Sequence, residues 1–300
     1  MRQIFRSAAA GLAACGLTAL AVAGTGAPAI AGTKAAAGHC ISVTGSGSTV
    51  KLNRTKVQNG TVCFVVSSAN AGLPGGGGGS AVNMFQPKHG VSLARALSDF
   101  KDEFSSTPAT AAKGTRELVR DVLFFGLADV VRGHPETVTD HLGAGTYYVW
   151  DPANTAASGK PPVLTKLTVT RGGTFPPLTG SVVVAATSTD RFIAPGTWPH
   201  QGTYLFHNVA DTIHFMAIIP VKPGTTDAQI QAFFNSHSPS APSFFVAGPA
   251  GGNDVVSPGH YLQVAYNLPA GTYVLICFVA DDVTGMPHAF MGMHKVIKLQ

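Results

Sequence analysis

An internal repeat is the feature that most limits how this chain can fold. A Gly-Thr pair followed by aromatic and branched residues occurs four times, at 60–65, 145–150, 202–207 and 271–276. The first block resembles the third, and the second resembles the fourth, so one unit occurs twice in succession. Glycine before aromatic and β-branched residues is typical of a turn that leads into a strand. The repeat therefore predicts two similar β-rich units in tandem.

The segments between these blocks also match in the two units. Apolar residues recur at helical spacing in 93–100 and in 228–234, which predicts a short helix inserted among the strands of each unit. The Gly/Pro-rich segment 171–177 indicates a linker. We therefore predict a first unit at 39–170 and a second at 180–300, each a mostly β sandwich with a short helical insertion.

The first unit contains two additional segments. Residues 75–79 are all glycine and predict a flexible insertion. Residues 101–140 predict further helix, which would serve as core packing or as a cap between the units. Its predicted apolar face consists of Leu118, Val119, Val122, Leu123 and Leu127.

The cysteines divide into a predicted pair and an unpaired thiol. Cys15 lies in the N-terminal apolar segment, whereas Cys40 and Cys63 open two neighbouring strand-like segments. We predict that Cys40 and Cys63 form a disulfide in an oxidising compartment. Cys277 is then unpaired, and either a bound metal or burial as an inert core residue would explain its retention.

Residues near the C-terminus offer a set of metal ligands. Cys277, His288 and Met293 lie within seventeen residues of one another, and His214 lies upstream on an apolar run. Two His, one Cys and a weak axial Met form the ligand set of an electron-transfer copper site. Taken alone, His214 is more often a core residue than a ligand, so the prediction depends on the set as a whole. Met291 is the alternative axial residue.

The order of these residues resembles the cupredoxins, the family of blue-copper β-sandwich proteins. Residues 208–214 resemble the segment that leads to the first His ligand of the family, and 268–277 resemble the strand that ends at its thiolate ligand. Residues 286–293 resemble the loop with the second His and the Met, and 295–299 resemble the final strand. The resemblance covers most of the second unit and reaches the first unit only through the repeat.

The resemblance implies two tandem cupredoxin-like Greek-key β-sandwiches and one copper ion. It implies that the copper ligands are His214, Cys277, His288 and Met293, with Met291 as the competing axial residue. When the two units are aligned with a constant difference in residue number, the first unit has other residue types at the positions of these ligands. The aligned pairs are Ser80 with His214, Asp151 with Cys277, Pro162 with His288 and Leu167 with Met293. The first unit is therefore predicted to be a copy without copper ligands.

Composition and motifs argue against other functions. The chain has no His-X-His pair for a trinuclear copper centre, and Ile276 and Phe278 stand beside Cys277 where a copper nitrite reductase would place a His. No stripe of basic and aromatic residues predicts nucleic-acid binding. We expect no enzyme, but a protein for electron transfer or copper handling with an unknown redox or copper-exchange partner. The alternative is a metal-free interaction or structural module of the cell envelope that retains the sandwich.

The N-terminal segment has the pattern of an export signal. Arg2 and Arg6 precede an Ala/Leu-rich stretch at 8–23, and small residues at 29–31 predict cleavage after Ala31. We therefore expect 1–31 to be a signal peptide, a secreted or cell-envelope protein, and no membrane span in the mature chain. Attachment as a lipoprotein at Cys15 is a minor alternative. Cleavage would lower the formal net charge from +5 to +3, because two arginines would leave with the signal.

Overall fold

The computed structural model describes residues 40–70, 79–152, 163–236, 242–246 and 248–300. The predicted signal peptide with Cys15, most of the glycine insertion and Pro162 lie outside the described residues. No helix in the part of the chain that the structure describes is long and apolar enough to cross a membrane.

The described residues form mostly strands, with a few helices between them. The strands of the first unit are β1 (Ile41–Gly45), β2 (Val50–Leu52), β3 (Lys56–Gln58), β4 (Gly60–Ser68), β5 (Ser80–Ala81), β6 (Asn83–Pro87), β7 (Val122–Gly126), β8 (Asp129–Val130), β9 (Glu136–Leu142), β10 (Gly145–Trp150) and β11 (Thr165–Thr170). The strands of the second unit are β12 (Val182–Thr187), β13 (Arg191–Ile193), β14 (Thr197–Trp198), β15 (Gln201–Asn208), β16 (His214–Val221), β17 (Gly251–Val256), β18 (Tyr261–Asn267), β19 (Gly271–Ile276) and β20 (His294–Leu299). The helices are α1 (Leu93–Glu103), α2 (Pro108–Asp121), α3 (Asp227–Ser236) and α4 (His288–Met291).

Two large sheets contain nearly all of these strands, and both sheets run through both units. One sheet has the order β13-β12-β15-β18-β9-β4-β1-β2, and the other has the order β14-β20-β19-β16-β17-β7-β6-β10-β11-β3. In each sheet the two units contribute strands in the same relative order from the centre outward. Antiparallel pairing of β18 with β9 and of β17 with β7 joins the units.

The mostly β sandwich with helical insertions is therefore confirmed, and the pairing adds that the sheets are continuous across the repeat. The boundaries at 39–170 and 180–300 stay a prediction.

The core lies between the sheets because the strands alternate buried and more exposed residues. Strand β4 does so along its whole length, and β9 does the same. The largest fully buried side chains come from both units and include Phe64, Phe85, Trp198 and Tyr204. Each side chain of this size contributes roughly 1.5–3 kcal/mol when it is fully buried. Packing between the sheets is therefore the main source of stability.

Helices α1 and α2 belong to the first unit, and part of the predicted helical segment is a strand. Phe100 of α1 packs edge-on against Phe85 and Trp150, with ring centroids 5.0 and 4.7 Å apart. Helix α2 ends at Asp121, and Val122–Gly126 is β7. The prediction of helix through 140, with Val122, Leu123 and Leu127 on a helical face, was therefore wrong. A run of branched and aromatic residues favours a strand, and pairing with β6 and β17 decides it.

The predicted disulfide is confirmed. Cys40 directly precedes β1, and Cys63 lies in β4, which runs parallel to β1. Ile41 pairs with Phe64 in this ladder, so the two cysteines lie side by side at its start. The bond closes a sequence separation of 23 residues.

Candidate metal centre

His214 is the first residue of β16, and a buried amide fixes the loop before it. Asn208 is fully buried, and its Nδ2 donates to the carbonyl oxygens of Thr212 and Val256, each at 2.8 Å. The Asn208 Oδ1 accepts the N–H of Ala210 at 3.1 Å. These hydrogen bonds hold the loop before His214 together and attach it to β17, so the backbone that carries the His214 imidazole is held in one position.

A β-bulge follows immediately. The pairing register of β16 with β17 shifts between His214 and Met216. A bulge turns backbone groups out of the regular ladder. Here the backbone N–H of Phe215 is directed toward the sulfur of Cys277. The irregularity at this strand end therefore brings a hydrogen-bond donor to the predicted thiolate.

Cys277 follows β19 and begins the loop that carries the other predicted ligands. Its N–H donates to the carbonyl oxygen of Met293 at 3.2 Å, and its own carbonyl oxygen accepts the N–H of Ala289 at 2.7 Å. The N–H of His288 donates to the carbonyl oxygen of Val279 at 2.9 Å. Because these bonds join both ends of the loop, Cys277 and His288 are held close together.

The structure brings the three strong predicted ligands to one buried point. The Sγ of Cys277 lies 3.8 Å from Nδ1 of His214 and 3.7 Å from Nδ1 of His288. All three side chains are fully buried, and their ligand atoms lie within 4.8 Å of one another. An ion about 2.3 Å from sulfur and about 2.0 Å from nitrogen, in a trigonal plane, would separate S and N by about 3.7 Å. The spacing therefore suits a three-coordinate metal position, and the role of these residues as ligands stays a prediction.

The two methionines have different surroundings. Met293 is fully buried in the same apolar cluster as Cys277. The sulfur of Met291 lies 3.9 Å from the hydroxyl of Thr284, in an exposed part of the loop. Burial beside the thiol favours Met293 over Met291 as the axial ligand, and this assignment also stays a prediction.

Burial determines the protonation of the three side chains. It lowers the pKa of His214 to about 2, with the neighbouring His288 as a smaller cause, and it lowers the pKa of His288 to about 4. Burial raises the pKa of the Cys277 thiol to about 12, against the N–H groups of Phe215 and Val279, which favour the thiolate. The imidazoles are therefore neutral and able to donate lone pairs, whereas the thiol must release its proton to bind a metal.

The first unit has a polar cluster at the corresponding place. Asp151 follows β10 as Cys277 follows β19. Trp150 pairs with Asn83, and Ser80 lies three residues before Asn83. In the same way Ile276 pairs with Ala217, and His214 lies three residues before Ala217. In the first unit the Asp151 carboxylate accepts the N–H of Gly47 at 2.6 Å. Both candidate metal groups among the described residues lie in the second unit.

One of the aligned pairs is wrong. In the first unit Tyr147 pairs with Leu167, and in the second unit Tyr273 pairs with Ile297. Leu167 therefore corresponds to Ile297 and not to Met293. The loop between β10 and β11 is shorter than the loop between β19 and β20, so a constant difference in residue number does not hold beyond these loops.

Helix α2 of the first unit covers the loop between β19 and β20 of the second unit, residues 277–293, which we call the ligand loop because it carries the predicted ligands Cys277 and His288. The hydroxyl of Thr115 donates to the carbonyl oxygen of Ala280 at 2.9 Å, and the guanidinium of Arg116 donates to the carbonyl oxygen of Asp282. Gly285 lies so close to the backbone of α2 that a Cβ there would overlap it. These contacts are made by residues outside the predicted apolar face, whose Leu118 packs in the hydrophobic core.

Two residues at the site were missed by the sequence reasoning. Asp190 Oδ1 lies 3.6 Å from Nε2 of His288, and Arg191 donates to the carbonyl oxygen of Met291 at 2.9 Å. Burial is the main cause that raises the pKa of the Asp190 carboxyl to about 6. Both residues lie about a hundred positions before the ligand loop, and nothing in their local sequence indicates the contact.

Two other histidines of the second unit are hydrogen-bonded to carboxylates. His260, the residue before β18, has its Nε2 2.8 Å from Oδ1 of Asp140 in β9, and the pair is partly buried. His294 is buried, with its Nδ1 3.1 Å from Asp227 Oδ1. Neither belongs to the candidate metal groups.

The chain matches no protein-family model and has no significant match among curated proteins. It is structurally similar to a dithionite-reduced auracyanin from the photosynthetic bacterium Roseiflexus castenholzii, at 20% identity and a TM-score of 0.25, over 39% of this chain and 94% of that one. It is similar to auracyanin B at 18% identity and a TM-score of 0.25, over 42% and 93%. It is similar to a blue copper oxidase from Nitrosomonas europaea at 9% identity and a TM-score of 0.21, over 86% and 84%. These similarities are too low to assign the chain to a family.

Proposed function

We propose that this protein binds one copper ion in its second unit and serves in electron transfer or copper handling outside the cytoplasm. The observation that carries the proposal is the convergence of His214, Cys277 and His288, with their ligand atoms within 4.8 Å in a fully buried position. The proposed ligands are Nδ1 of each imidazole and Sγ of the thiolate, with Met293 in the weak axial position.

The chemistry of these residues fits copper. Imidazole and thiolate together select copper over hard cations such as Mg²⁺ or Ca²⁺, which prefer oxygen ligands. Bound copper would supply one-electron redox chemistry. The protein would contribute a dry apolar surround, N–H donors to the sulfur from Phe215 and Val279, and ligands held by strand ends.

Export is part of the proposal. The predicted signal at 1–31 and the disulfide between Cys40 and Cys63 both suit an oxidising compartment. A copper protein there would exchange electrons with a redox partner or metal with a copper-exchange partner.

The test is copper loading of the purified chain. We expect one Cu(II) retained per chain after dialysis, with an intense thiolate-to-copper charge-transfer band. Cys277→Ser should remove the band, whereas Asp151→Asn, at the corresponding place in the first unit, should keep it. Neither band nor retained copper in the folded wild-type protein would refute the proposal.

A second measurement separates the two roles. The loaded protein is reduced and then mixed with a Cu(I) chelator. Copper that stays bound and is reoxidised reversibly would support electron transfer, whereas rapid transfer of Cu(I) to the chelator would support copper handling.

A further inference from the structure

The outer edge of the His288 ring has an unsatisfied polar atom. Its Nε2 is fully buried and has no hydrogen-bond partner. A buried ring nitrogen without a partner is unfavourable, so its neighbourhood requires an explanation. Among the described residues, the carboxylate oxygen within ion-pair range of this nitrogen is Asp190 Oδ1, at 3.6 Å. A shift of about half an ångström would bring the two atoms into hydrogen-bond range.

A second carboxylate nearby is already engaged. Asp281 lies within 4.8 Å of both His288 and Asp190. However, its Oδ1 accepts hydrogen bonds from the backbone N–H groups of Val283 and Thr284 and from the Thr284 hydroxyl. These bonds fold the turn of the ligand loop around Asp281. Asp190 is therefore the better placed acceptor for the ring.

The backbone holds Asp190 in place at an energetic cost. Its φ of +54° is the one positive value outside glycine among the described residues. Residues other than glycine rarely adopt this region, Asn and Asp more often than the rest, and such strain concentrates at functional positions. This residue lies at the end of the β12–β13 turn, with its carboxylate facing the Nε2 edge of the His288 imidazole.

Arg191 fastens this turn to the ligand loop. Its guanidinium donates to the carbonyl oxygens of Asp190, at 2.7 Å, and of Met291, at 2.9 Å. Gly292, with φ +106°, leaves room for the guanidinium, since a Cβ at this position would lie 2.8 Å from Arg191 Cζ. The distance between Asp190 and His288 is thus set by direct contacts between their two loops.

We propose that Asp190 is a positioning residue that accepts the Nε2–H of His288 and so keeps the Nδ1 lone pair directed at the metal position. A neutral imidazole carries one proton, and the partner of one nitrogen decides which nitrogen is free to ligate. Such carboxylate–histidine pairs orient metal ligands and raise their basicity. The inference rests on the proposed copper site for its purpose, but the tautomer can be measured without metal.

Two variants of Asp190 separate its charge from its hydrogen bond. Asp190→Asn removes the charge but keeps an acceptor and tolerates the left-handed backbone. Asp190→Gly removes the side chain and relieves the backbone strain. Asp211→Asn is the matched control, because Asp211 is an exposed acid that also acts on Asp190 electrostatically.

The first readout is the tautomer of His288 in metal-free protein, from ¹⁵N NMR. We expect the Nε2–H form in the wild type, in Asp190→Asn and in Asp211→Asn, and a mixture of tautomers in Asp190→Gly. The second readout is Cu(II) affinity, which should fall roughly 10- to 100-fold in Asp190→Gly, as it does when comparable metal-site partners are lost. The control should bind as the wild type does.

The inference is overturned if the wild type carries the proton on Nδ1, or if Asp190→Gly keeps the wild-type tautomer and affinity. A wild-type protein that binds no copper would instead refute the proposed function. In that case the tautomer comparison alone would still decide whether Asp190 fixes the ring.

Discussion

Replacing Asn208 with Ala tests whether the His214 position is built into the fold before any metal binds. The change removes three buried hydrogen bonds, two donated by Nδ2 at 2.8 Å and one accepted by Oδ1 at 3.1 Å. At about 1 kcal/mol for each bond, the free energy of unfolding should fall by about 3 kcal/mol. For a protein of this size the melting temperature should fall by roughly 6–12 °C.

The assay is thermal and urea unfolding of the metal-free protein, followed by copper titration. Asn267→Ala is the control, because Asn267 is exposed at the end of β18 and its loss should change stability by less than about 0.5 kcal/mol. We expect Asn208→Ala also to weaken copper binding, since the loop before His214 would lose its anchor. A loss of stability below about 1 kcal/mol would refute the reasoning that these bonds fix the loop.

Two further predictions concern the first unit. The double change Cys40→Ser and Cys63→Ser should lower the free energy of unfolding by about 3 kcal/mol, because the bond closes a separation of 23 residues. The urea midpoint of the variant should equal that of the reduced wild type and lie below that of the oxidised wild type. Equal midpoints for the variant and the oxidised wild type would contradict the prediction. Burial raises the pKa of the Glu136 carboxyl well above its usual value. The stabilising contribution of this carboxyl is therefore full below about pH 4.3 and is lost as the pH rises toward the pKa of the folded state. Over that range the free energy of unfolding falls by up to about 1.4 kcal/mol per pH unit. Glu136→Gln should therefore reduce the loss of stability between pH 5 and pH 7 in urea unfolding, and equal pH dependence in both proteins would contradict this.

Much of the fold could be predicted because it depends on local pattern. Glycine turns before branched residues specified the strands, and the repeat specified that the strands occur in two sets. The disulfide followed from two cysteines at the start of neighbouring segments. The error at Val122–Gly126 arose because a short apolar run suits either a helix or a strand, and only pairing with β6 and β17 decides between them.

The sequence also indicated the candidate ligands, for a physical reason. A strand end followed by a loop keeps Cys277 and His288 close whatever the rest of the chain does, and the resemblance of 208–214 to the family's first-His segment pointed to His214. The surroundings of the site could not be predicted in this way. The residues that reach the ligand loop come from segments about a hundred or more positions earlier in the chain; they are Thr115, Arg116, Asp190 and Arg191.

The sequence by itself indicated a β-rich repeat, a disulfide and one set of candidate ligands, since these depend on residue type and short spacing. Only the tertiary structure decided that β18 pairs with β9 and β17 with β7, so that two units share two sheets. That joining places α2 over the ligand loop. The fold of the second unit brings the Asp190 carboxylate next to the His288 ring. Contacts of this kind depend on how distant segments pack together, and no local pattern in the chain records them.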